Sequence, residues 1–168
     1  MDVPHFGGDQ LLVFQCPRDS DCSYTEKRNL PANFWDAGVA GKPPFWRILV
    51  QSKGVAQQDP DPIFRPTRLS LRETEDKSDG RPLYGFKIGG RPHYLQRPRS
   101  LFCACGTKLV FLAQVGEDFP FRKYKAADAD NGEYPRSLDD GLLLGNKVYI
   151  MACPDRCDPA AAWPECQN

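Results

Sequence analysis

Apolar residues in this chain fall into short runs between breakers and do not show a sustained helical period. Gln10-Leu-Leu-Val-Phe-Gln15 lies between Gly7-Gly8 and Pro17, and Phe45-Trp-Arg-Ile-Leu-Val50 opens after Pro43-Pro44. Both have strand length and strand composition. Arg68 to Leu71 alternates weakly and predicts an edge strand. Tyr84 to Ile88 predicts a further strand, stopped by Gly89-Gly90. Lys108-Leu-Val-Phe-Leu-Ala-Gln114, between Gly106 and Gly116, is the best strand in the chain, and Lys147-Val-Tyr-Ile-Met-Ala152 closes on Pro154. Sixteen prolines and 14 glycines leave little room for long helices. The expected class is therefore mainly β (α+β with little helix), with short strands and Pro/Gly-rich loops.

One segment recurs. Gly8-Asp-Gln-Leu-Leu-Val-Phe-Gln-Cys16-Pro17 aligns without gaps on Gly145-Asn-Lys-Val-Tyr-Ile-Met-Ala-Cys153-Pro154, and each is followed by another cysteine, Cys22 or Cys157. A repeated turn, strand and Cys-Pro exit points to two related β half-units. Residues 1–57 are then the remainder of a first half-unit, 58–81 a charged, proline-containing connection, and 82–168 the second half-unit, together one compact domain. Because so little precedes the first copy, the chain is expected to start inside its first half, as a piece of a longer protein.

Charge matters here through its distribution. Lys plus Arg and Asp plus Glu both total 22, so the net charge is zero, which disfavours binding dominated by a phosphate backbone. Arg81, Lys87, Arg91, Arg97, Arg99 and Lys108 are all cations in a stretch without an acid. Tyr84, Phe86, Tyr94 and Phe102 lie among them. That interleaving suits single-stranded nucleic acid, and equally a strand with aromatics inward and cations in water. The stretch 126–145 is the opposite: Asp128, Asp130, Glu133, Asp139 and Asp140 stand against Arg136. It reads as a long ordered loop whose acids fit a basic protein partner, or as a plain solvated loop. Apolar runs of about six residues are far below the roughly 20 of a membrane helix. With no export signal visible, the expected compartment is the cytoplasm.

The candidate chemistry is in the seven cysteines. Cys103-x-Cys105-Gly106 and Cys153-Pro-x2-Cys157 are thiol pairs at predicted strand ends, and two such turns complete a tetrahedral zinc set from Cys103, Cys105, Cys153 and Cys157. Two other readings stay open: buried thiols that pack as small hydrophobes, and redox pairing. Nucleophilic catalysis has only His5 and His93 as bases, and nothing in the sequence brings either to a cysteine. No catalytic residue is assigned.

The string Gly85-Phe-Lys-Ile-Gly89-Gly90-Arg91-Pro92-His-Tyr94-Leu-Gln96, followed by Cys103-x-Cys105-Gly106 and Leu109 to Gln114, resembles the bacterial YwqG-like family. The closing segment from Leu143 to Gln167, with Cys-Pro-x2-Cys and then Trp163, is similar to that family's ending and, in its order, to relatives of programmed cell death protein two. The likeness covers residues 82–168, with 6–50 matching the end of a first half. It implies a largely β domain of two related halves with no established catalytic residues. Bacterial members look like protein-binding modules and are taken as immunity proteins beside secreted toxins; eukaryotic relatives escort a ribosomal protein. The C-x-C spacing departs from the usual zinc pair.

The expectation is therefore a non-enzymatic immunity protein that neutralises a cognate toxin, such as a basic nuclease of interbacterial competition, by direct binding. Asp128, Asp130, Glu133, Asp139 and Asp140 would meet the partner, structural zinc is the candidate metal, and no other cofactor, membrane or nucleic acid is expected. The alternatives are an escort chaperone for a basic ribosomal protein and a zinc-dependent RNA-processing enzyme.

Overall fold

The computed structural model describes residues 3–15, 28–30, 46–52, 70–73, 75–76, 85–116 and 146–168. These contain six strands: β1 (Gln10–Gln15), β2 (Trp46–Gln51), β3 (Lys87–Ile88), β4 (Val110–Val115), β5 (Lys147–Ala152) and β6 (Ala162–Gln167), and no helix among the described residues. The mainly β class is what the structure has. β1 and β2 form an antiparallel pair, and β3-β4-β5-β6 form a four-stranded antiparallel sheet in that order. No helix of the described residues is long and apolar enough to cross a membrane.

The fit to the sequence pattern varies by strand. β1 and β5 have the expected bounds, and β2 begins at Trp46. The strand expected over 108–114 starts two residues later, because Lys108 forms a separate antiparallel bridge with Phe102. Of the strand expected over 84–88, the described part has only Lys87 and Ile88 in strand, since the chain turns at once through Gly89 and Gly90, both at positive φ. Gly90 is needed there on a second ground: a Cβ would collide with the Asp76 carboxylate and the Lys87 side chain. Of the edge strand expected over 68–71, the described residues Ser70 and Leu71 are not in a strand, and 68–69 lie outside the described residues. Leu71 is 65% exposed, so no burial rewards an extended conformation there. β6 has no counterpart among the expected strands. Its Pro164 argues against a central strand, but among the described residues β6 is the sheet edge, where a missing N–H is tolerated.

β5 is central among the described strands. It pairs with β4 on one side and β6 on the other, and all six of its residues are buried. On one face, Tyr149, Met151 and Cys153 pack with Leu101, Cys103, Leu109, Trp163 and Leu30. On the other, Ile150 and Ala152 pack with Leu112, Ala113 and Ala162, under Val3, Phe6 and Ile48. Trp46 covers Val148 beside them. The β1–β2 pair and the 3–9 turn thus lie over one face of the larger sheet, and the 94–109 stretch over the other. Each large apolar side chain buried this way contributes about 1.5–3 kcal/mol. β4 bulges at Leu112, between the pairs Phe111–Met151 and Ala113–Ile150, which lets both Leu112 and Ala113 reach the same core.

Candidate metal centre

Sheet register brings the two cysteine turns together. β4 and β5 are antiparallel, with Val110 opposite Ala152, so the start of one strand and the end of the other share one end of the sheet. Cys153 follows Ala152 directly. Residues 101–109 form a small hairpin, with Leu109 N–H donating to Leu101 O at 2.9 Å, Cys103 N–H to Thr107 O at 2.8 Å and the cysteines at its tip.

The two tips are built alike. Gly106 N–H donates to Cys103 O at 2.9 Å, and Arg156 N–H donates to Cys153 O at 3.1 Å. In each turn the residue three after the leading cysteine has positive φ, +93° at Gly106 and +53° at Arg156. Such a turn folds the chain back so that a second thiol faces the first. The Thr107 hydroxyl donates to the Asp155 carboxylate and ties one tip to the other.

All four sulfurs, of Cys103, Cys105, Cys153 and Cys157, lie within 4.8 Å of one another. Cys103 Sγ is 3.4 Å from Cys157 Sγ, Cys105 Sγ is 3.7 Å from Cys153 Sγ, and Cys157 Sγ is 3.8 Å from Cys153 Sγ. A tetrahedral ion with metal–sulfur bonds of about 2.3 Å separates its sulfurs by about 3.8 Å, so the set fits. These distances are far beyond the roughly 2.05 Å of a disulfide, and all four cysteines are free. Cys166 differs: it is disulfide-bonded, a state that oxidising compartments favour. Cys103 and Cys153 are buried and Cys105 and Cys157 exposed, which places the site at the surface end of the core.

Crowding splits the thiol acidities. The Thr107 backbone N–H beside Cys105 lowers its pKa to about 6. Loss of solvent pushes Cys103 up, and loss of solvent with the three neighbouring sulfurs pushes Cys157 up strongly. Four thiols in this space do not ionise together unless a cation compensates them. A bound metal ion supplies that compensation and deprotonates its ligands outright. With four cysteine ligands the tetrahedron is closed, leaving no position for a substrate.

Cys16 and Cys22, and the acidic set Asp128, Asp130, Glu133, Asp139 and Asp140, lie outside the described residues. Two polar features were missed by sequence reasoning. Asp9 forms an ion pair with Arg156 across 147 positions of chain. In addition, side chains from three strands clamp the backbone of residues 93–96 onto the sheet. Gln114 Oε1 accepts from His93 N–H at 3.2 Å, and Gln167 Oε1 accepts from Leu95 and Gln96 N–H, both at 2.9 Å. His93 O accepts from Tyr149 Oη at 2.5 Å and from Lys147 Nζ at 3.1 Å. The available cue was a lysine and two glutamines inside apolar strands, Lys147, Gln114 and Gln167, all buried. No family model, curated protein or solved structure matches this chain.

Proposed function

We propose that this chain is a non-catalytic, protein-binding β module, stapled by structural zinc, that acts as an immunity protein against a cognate toxin. The observation that carries the zinc staple is the four-sulfur set. Catalytic zinc sites keep a coordination position for water or substrate, and an all-cysteine tetrahedron serves folding. Zinc is preferred over harder cations because all four donors are thiolates. The binding role and the toxin rest on the sequence resemblance to the YwqG-like family. In this reading the acids at 128–140 approach a basic effector, and cell growth under toxin expression is the readout.

Zinc analysis of purified protein tests the staple: one ion per chain is expected, falling to none in a Cys103→Ser, Cys153→Ser double variant. The immunity role predicts a toxin gene in the neighbouring reading frame, and co-expression with that gene's product tests it. Rescue of growth and a stable complex are expected, with association slowing as salt is added. Capture from native cells that yields a ribosomal protein and no toxin would replace this role with that of an escort.

A further inference from the structure

The metal centre sits where the first part of the chain meets the second. Asn29 bridges to Phe102, the residue before Cys103, with Leu30 N–H donating to Phe102 O and Phe102 N–H to Arg28 O, each at 2.8 Å. On β2, Val50 N–H donates to Pro159 O at 2.8 Å, two residues beyond Cys157. The Asp9 carboxylate is 4% exposed and accepts from the guanidinium of Arg156, which lies inside the second turn itself. Three separate segments before residue 53 are therefore fastened to the two cysteine turns.

Arg156 is the informative residue. Its backbone has φ +53°, a region that glycine occupies freely and a long side chain does not. The corresponding place in the first turn is Gly106. Backbone geometry alone favours glycine at both, so the arginine side chain has a use that offsets the strain. Its contact is the buried Asp9.

Resting on the reading of the tetrad as a metal centre, we propose that Arg156 is a latch through which metal occupancy holds the N-terminal segment on the sheet. Cys153 and Cys157 bound to one ion hold the intervening turn in the shape that aims Arg156 at Asp9. Emptying the centre frees that turn. Asp9 then loses the Arg156 guanidinium, which makes the burial of its carboxylate more costly. The 3–15 segment leaves with it, uncovering the part of the Leu112, Ile150 and Ala162 face that Val3 and Phe6 now cover. By linkage the coupling runs both ways: docking of Asp9 tightens metal binding by the same factor.

The test is amide hydrogen exchange on the full chain, zinc-loaded and chelated, beside Arg156→Gly and Asp9→Asn. Arg156→Gly suits the turn backbone, so it keeps one zinc per chain; exchange in 3–15 should rise tenfold or more with zinc bound, while β5 stays protected. Asp9→Asn should weaken zinc several-fold in chelator competition. A purely local charge effect gives the opposite sign, since removing an anion eases the gathering of four thiolates. Unchanged protection of 3–15 in zinc-bound Arg156→Gly overturns the latch, as does unchanged or tighter zinc in Asp9→Asn. If chelation opens the whole chain, the zinc-bound Arg156→Gly result still decides. Zinc stoichiometry of zero in the wild type sinks the metal centre itself, a distinct failure.

Discussion

β1 and β5 carry the two copies of the repeated segment, and the structure treats them differently. β5 has a hydrogen-bonded neighbour on each side and is buried along its length. β1 has β2 as its neighbour among the described residues, and Val13 and Phe14 are 40% and 53% exposed. In the ungapped alignment these two stand opposite Ile150 and Met151, which are 1% and 7% exposed. Similar apolar runs thus have opposite environments. A run of this kind specifies an extended segment, while the layers that arrive on its two faces set its burial. The second copy also does chemistry that is described: its Cys-Pro exit places Cys153 and Cys157 in the tetrad.

That contrast can be broken most severely at the four-sulfur site. Structural zinc in small domains is worth about 10–16 kcal/mol, comparable with a domain's whole stability. Cys153→Ser should therefore abolish cooperative unfolding of the β3–β6 sheet, followed by circular dichroism. A variant that melts like the wild type would remove the staple. Next in size are the paired core substitutions. Ile150→Ala should cost about 2–5 kcal/mol in urea denaturation, and Val13→Ala no more than about 0.5 kcal/mol. Equal losses would mean that β1 is as deeply packed as β5.

Smaller effects sharpen the account of the clamp. Gln167→Leu leaves the Gln96 N–H without its acceptor and should cost about 1–3 kcal/mol, with raised exchange at residues 95 and 96. The least is electrostatic. Burial raises the pKa of Glu165 above its ordinary value, the nearby Arg99 opposing only in part. The native state then holds the proton more tightly than the unfolded chain does. Stability from this group is fully present below the ordinary carboxylate pKa and is lost as pH rises through the raised one. Glu165→Gln should flatten the fall in melting temperature across that interval; an unaltered slope would assign the pH dependence elsewhere.

Much of this architecture was readable in advance, for local reasons. β1, β2 and β5 are short apolar runs framed by glycine or proline, and the turn residues mark their ends without tertiary help. The four tetrad cysteines were legible as two close pairs at strand exits. β6 was not, because Pro164 and Glu165 break the strand pattern and only its edge position makes them acceptable. The polar clamp escaped for a related cause: Lys147 and Gln114 look like solvent-facing positions until the 93–96 backbone covers them.

The β class, most strand positions and the thiol pairs follow from local sequence, since each depends on residues within a few places of one another. Tertiary structure alone decided that the two cysteine turns share one end of one sheet, which copy of the repeat is interior, and that Asp9 meets Arg156. Those outcomes depend on strand order and register between distant segments. Neither is encoded in local periodicity, because the same apolar run can be buried on one face or on both.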